Sequence, residues 1–265
     1  MRIDTHCNIG RYGERTLTAS DVSTYLDQVG FDAAFVANLD AASRPAGSPD
    51  REEVDANEAC LNACAGDQRL CPLYWVRPGR RDSHVYAMAG ALSTEDFAGV
   101  IFAPARNDYS ADASMLDPYM QMLARLGVTA IFCTSREDRS GPSRVYSLAR
   151  RHPKVPIVLS GIASDVHVRE AIDVVQRAGE RNDARLYLNA SHAGAEEIVR
   201  LVKSVGAERV LFASDWPQTR ADQSLRAGEI ANALERALPP PTCERILSGN
   251  ALHLFRCNLH AESPA

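Results

Sequence analysis

Short apolar runs rich in β-branched and aromatic residues recur along the chain: RIDTH (2–6), DAAFVANL (32–39), RLCPLYWV (69–76), GVIFAPA (99–105), TAIFCTS (129–135), PIVLSG (156–161), RLYLNAS (185–191) and RVLFASD (209–215). Most are near-continuously apolar, the pattern of strands covered on both faces in a parallel sheet. Between them lie stretches with apolar positions three and four apart, such as MLDPYMQMLARLG (115–127), SDVHVREAIDVVQRAG (164–179) and GAEEIVRLVKSVG (194–206). These predict amphipathic helices, with Gly127, Gly179 and Gly206 as their stops. Eight strands alternating with helices predict βαβ units closed into an α/β (β/α)₈ TIM barrel, one domain over residues 1–265. An open doubly wound sheet is the alternative. No G-x-G-x-x-G follows a strand, which weakens its dinucleotide-binding form. PAGSPDREE (45–53) reads as a surface loop and LPPPTCE (238–244) as a rigid connection. CERILSGNALHLF (243–255) reads as a last helix and 260–265 as a frayed tail.

Length agrees with this picture, since one such barrel takes roughly 250 residues. Hydrophobic residues make up 45% and charged residues 24%, as in an ordinary soluble protein, and the net charge is -5. That balance argues against a nucleic-acid partner, which calls for a basic face. No apolar run approaches the ~18 residues that span a bilayer, so no membrane partner is expected. The N-terminus enters a strand-like run without a basic leader and apolar core, so no secretory signal is expected. The seven cysteines are scattered and odd in number, and read as reduced thiols of a cytoplasmic protein.

Three stretches in order, IDTHCNIG (3–10), RVLFASDWP (209–217) and ILSGNALHLF (246–255), resemble the amidohydrolase-related family. These are the metal-dependent TIM-barrel hydrolases, with decarboxylase and lactonase relatives. GVIFAP looks like that family's fourth strand and LYLNAS like its seventh. The resemblance covers essentially the whole chain. It implies a site at the C-terminal ends of the strands, the catalytic face of such barrels.

Against that pattern several positions are changed. The family's first strand ends His-any-His, and this chain has His6-Cys7-Asn8. Residues two apart on a strand share a side, so His6 and Asn8 face together and Cys7 faces away. An amide is a poor zinc donor, and Asn8 otherwise hydrogen-bonds a loop. Cys133 stands where the family has a fifth-strand histidine: either a thiolate ligand or a small buried hydrophobe. Gly161 stands where the sixth strand carries an acid–base histidine, so that role is lost or moved. Asp215 is retained, and in the family it binds metal and moves the proton of the attacking water.

The resemblance therefore implies zinc or another divalent metal on His6, Cys133 and Asp215, with Asn8 as a weak fourth ligand. Such a metal would lower its water's pKa toward ~7. Without metal, Asp215 serves as general base with His6 as partner or acid. His192, after the seventh strand, either replaces the missing base or is an ordinary loop histidine. Of the others (His84, His152, His167, His253, His260), only His167 lies near a strand's C-terminal loop. Arg11, Arg77, Arg80, Arg81, Arg106, Arg136, Arg139 and Arg220 all follow strands on one face. Guanidinium forks suit carboxylates, so Arg77, Arg106 and Arg136 point to a small anionic substrate, with Trp75 or Trp216 as a wall. Asp108, Glu137 and Asp138 are placed to neutralise some of them. Cys60, Cys64 and Cys71 read as core packing.

The activity implied is hydrolysis of a small carboxylated ester, lactone or amide. The alternatives are decarboxylation on the same face, and an inactive barrel that binds a metabolite or partner protein. Family barrels often pair, which implies a homo-oligomer.

Overall fold

The computed structural model describes residues 1–42, 51–79, 82–94, 96–161, 165–217, 226–257 and 259. Arg80, Arg81, Arg220, His260, the first part of the 45–53 segment and the tail 260–265 lie outside the described residues. Nine strands form one sheet in the order β2-β1-β3-β4-β5-β6-β7-β8-β9. They are β1 (Ile3–Tyr12), β2 (Arg15–Leu17), β3 (Ala33–Asn38), β4 (Leu70–Val76), β5 (Gly99–Phe102), β6 (Ala130–Cys133), β7 (Pro156–Ser160), β8 (Arg185–Asn189) and β9 (Val210–Leu211). β2 is an antiparallel hairpin partner of β1; the other neighbours run parallel.

The ends of the sheet meet. Thr5 N donates to Phe212 O at 3.1 Å, Asn8 N donates to Trp216 O at 2.9 Å, and Cys7 bridges Trp216 in parallel. β1 and β3–β9 therefore make the eight-stranded (β/α)₈ TIM barrel that the sequence predicts, with helices outside. All eight predicted runs are strands, because side chains of one strand alternate between two apolar layers. Ile3, Phe35, Leu73, Ile101, Ile131 and Val158 fill the cylinder. Val36, Tyr74, Val100, Phe102, Phe132 and Leu159 face the helices. Each such side chain stabilises the fold by roughly 1.5–3 kcal/mol.

The helices are α1 (Ala19–Val29), α2 (Arg51–Cys64), α3 (Asp82–Ser93), α4 (Asp117–Leu126), α5 (Pro142–Arg151), α6 (Asp165–Arg181), α7 (Ala195–Val205) and α8 (Ala227–Ala237). Thr18 and Asp21 form a reciprocal capping box on α1. Gly127 ends α4 in the left-handed region at φ 66°. Gly179 does not end α6, which runs to Arg181; Asn182 takes the left-handed turn at φ 51° instead. Val175 and Ala178 are buried, and their packing outweighs the roughly 1 kcal/mol a helical glycine costs. The predicted loop 45–53 ends inside α2.

The predicted connection before the last helix is itself helical, over Pro240–Glu244, because proline suits a first helical turn. A π-helical turn, Arg245–Gly249, joins it to Asn250–Leu254. The Asn250 amide donates to Ala207 O and Val210 O, each at 2.7 Å, and ties this run to the last strand. Cys60, Cys64 and Cys71 are buried core residues. Among the described residues no helix is long and apolar enough to cross a membrane.

Candidate active site

The C-terminal ends of the strands surround a cavity of 330 Å³. His6, Cys133, His192 and Asp215 line it, together with Trp75, Arg106, Arg136 and His167. Beneath it, Asp4 is a fully buried carboxylate on β1. It accepts from His6 N at 3.2 Å, Ser214 N at 2.9 Å and the Tyr25 hydroxyl at 2.9 Å. Asp4 thus ties the first strand to the turn after the last one. In that turn Trp216 N donates to Ser214 Oγ at 3.0 Å, and Asp215 is held at φ 58°. His192 also sits in the left-handed region, at φ 67°. Such backbone costs a non-glycine residue roughly 1–2 kcal/mol, and it gathers at functional sites.

The Asp215 carboxylate is the hub. Oδ1 accepts from Asn8 Nδ2 at 3.2 Å and faces His6 Nδ1 at 3.4 Å; Oδ2 faces His192 Nε2 at 3.1 Å. Burial acts to raise its pKa. The His6 and His192 rings and the Asn8 amide outweigh that and hold it below the usual carboxylate value. Burial lowers the pKa of His6 below the histidine norm, against the opposing pull of Asp215 and Asp4. His6 Nδ1 faces Asp215, and among the described residues its buried Nε2 has no hydrogen-bond partner. Ser160 Oγ approaches that same Nδ1 at 3.4 Å, so serine and carboxylate compete for one nitrogen. A Ser–His–Asp triad needs them on opposite nitrogens.

The other predicted residues divide. Arg106 and Arg136 follow β5 and β6 and reach the cavity. Arg77 does not line it: its guanidinium donates to the carbonyls of Ala41 and of Asp40, the latter at 3.0 Å. Trp216 stacks on Tyr25 with centroids 5.3 Å apart, while Trp75 lines the cavity and donates from Nε1 to Asn107 Oδ1 at 3.0 Å. Arg139 is neutralised by Asp108 and Glu137, and Arg144 by Asp138. His167, in the first turn of α6, belongs to the cavity wall; its only sequence signal was its place near a strand's C-terminal loop.

The donors do not fit a divalent cation. Asn8 turns its amide nitrogen toward Asp215 and also donates to Trp216 O at 2.9 Å. The Cys133 thiol is pushed up to about 12 by burial, reinforced by the Asp215 charge. Gly161 has no side chain to offer. The His192 ring hydrogen-bonds the carboxylate at 3.1 Å, and His6 Nδ1 lies 3.4 Å from its other oxygen. Among the described residues no three His, Cys, Asp or Glu side chains are grouped to hold a metal ion.

A family model described as Amidohydrolase matches residues 3–257. Among solved structures, a 2,6-dihydroxybenzoate decarboxylase from Rhizobium superposes with TM-score 0.74 at 14% identity, covering 96% of this chain and 98% of that one. A 5-carboxyvanillate decarboxylase from Novosphingobium aromaticivorans, complexed with manganese and a nitrobenzoic acid, gives 0.71 at 16% identity, covering 96% and 95%. A protein described as a probable 2-pyrone-4,6-dicarboxylic acid hydrolase from Acinetobacter baumannii, with citric acid bound, gives 0.64 at 14% identity, covering 96% and 98%. At these identities the likeness is one of fold. No curated protein matches the chain in sequence.

Proposed function

Because the chain belongs to the amidohydrolase family, we propose that it hydrolyses a small carboxylated ester or lactone, with Asp215, His6 and His192 moving the protons. One observation carries this reading. A buried carboxylate, bracketed by two imidazoles, opens into a cavity that Arg106 and Arg136 also line. The arginines hold the substrate's carboxylate and place its carbonyl near Asp215. Asp215 lines the cavity, where a water held beside it is the nucleophile. Asp215 takes the water's proton as the new C–O bond forms. The His192 and His6 rings stabilise the carboxylate before the transfer, and Asp215 holds the proton after it. The leaving oxygen departs with its bonding pair and takes that proton, so ester and water become acid and alcohol.

The test is turnover of monomethyl succinate and 5-oxotetrahydrofuran-2-carboxylate, followed as acid release. Activity that survives dialysis against a chelator is the expected result. Carbon dioxide release without chain cleavage would replace hydrolysis by decarboxylation. A ligand that raises thermal stability and stays intact would leave a binding barrel.

The pH profile has a definite sign. The working form needs Asp215 ionised and His6 neutral, and both groups have lowered pKa values. As pH falls, that form persists through the ordinary histidine value of ~6.5. We expect kcat/KM to stay level from pH 7.5 to 6.5 and to fall only below that. An acid limb centred at or above 6.5 contradicts the assignment.

A further inference from the structure

We propose that His167 is a second substrate-facing catalytic group, which with Arg136 binds the carbonyl oxygen of the scissile group and stabilises the charge that grows on it. The inference rests on the hydrolytic reading above. His167 is 7% exposed, yet its side chain lines the cavity. Among the described residues its imidazole has no hydrogen-bond partner. An imidazole in a cavity wall is completed by a ligand or water in that cavity.

Its surroundings set its form. Burial lowers its pKa, the Arg136 charge lowers it further, and Glu170 one turn along α6 opposes both. At neutral pH the ring therefore carries one N–H. The side chain lines a cavity whose other residues include Asp215 and Arg136. Hydrolysis needs this donor. When water attacks, the C–O bond forms and the carbonyl π pair moves onto oxygen. That oxygen is negative until the pair returns and expels the leaving oxygen. Asp215 is an anion and cannot stabilise it; an N–H beside a guanidinium can. Gly161, at the end of β7, has no side chain, so α6 supplies the group that the strand does not.

Two measurements decide the matter. The first is kinetic. His167→Ala should lower kcat about 10²–10³-fold with KM within about twofold, the size found for losing one oxyanion donor. His167→Gln, which keeps an N–H, should recover at least about tenfold of that. Equal loss in both variants, or a loss confined to KM, overturns the role. The second needs no turnover. Carbethoxylation of His167 by diethyl pyrocarbonate, read by peptide mass spectrometry, should be slowed at least about fivefold by saturating citrate. That protection should vanish in Arg136→Ala, while exposed His253 reacts equally throughout. Modification of His167 unaffected by citrate overturns the proposal. If no ester is cleaved but citrate still protects, His167 faces ligand and it is the hydrolytic reading that has failed.

Discussion

Replacing Asp215 by asparagine is expected to lower ester hydrolysis by about 10³–10⁴-fold, the largest catalytic effect of any single change in this barrel. Shape is nearly conserved, so the loss is one of charge and hydrogen-bond polarity. In the native site both carboxylate oxygens accept: Oδ1 from Asn8 Nδ2 at 3.2 Å and toward His6 at 3.4 Å, Oδ2 from His192 at 3.1 Å. An amide has one acceptor oxygen and one NH₂. If its oxygen faces Asn8 and His6, its NH₂ meets the His192 N–H. If it turns over, its NH₂ meets both of the others. One imidazole must then change tautomer or break contact, and a donor left unpaired in the interior costs about 1–3 kcal/mol. The proton acceptor for water is lost as well. Steady-state kinetics with thermal unfolding on the same protein check this. A folded Asp215→Asn enzyme within tenfold of native kcat would remove Asp215 from the chemistry.

The barrel was legible in the sequence because its signals are local. A run such as AAFVAN is buried at every position, and a run such as MLDPYMQMLARLG repeats at helical spacing up to a left-handed glycine. Neither needs knowledge of a distant partner. The site was half legible. Asp215 stood out by its turn, but what Asn8 does is set by the Trp216 carbonyl and Asp215, more than two hundred positions away in sequence. Arg77 shows the same limit: its position suits an anion site, yet the backbone carbonyls of Asp40 and Ala41 take its guanidinium. His167 is legible only as a histidine near a strand's C-terminal loop, with no role attached, because its ring reaches the cavity from a helix. The end of α6 also escaped, since burial of Val175 and Ala178 overrides a local glycine stop.

Gly161→His, which puts back the histidine that the family resemblance places at the sixth strand, is expected to destabilise the protein and remove its activity. Gly161 has φ 81°, and a Cβ built there would lie 2.7 Å from Thr134 O. That carbonyl has little freedom to withdraw. Thr134 N and Thr134 Oγ1 both donate to Ser160 O at 2.7 Å, and Gly161 N donates to Ser191 Oγ at 3.1 Å. Relief of the clash must break one of these bonds. The left-handed backbone costs a side chain about 1–2 kcal/mol and the overlap roughly 1–3 more. Together that is about 2–5 kcal/mol, a fall in Tm of roughly 5–15 °C for a domain of this size. Gly161→Ala carries the same backbone penalty without the ring, so it should lose a similar amount of stability. The histidine should lose more activity, because its ring enters the cavity beside Ser160 and His6. Differential scanning calorimetry and kinetics on both variants test the account. If Gly161→His melts at the native temperature, the glycine is not demanded by the backbone, and its presence instead records a catalytic group that this barrel has given up.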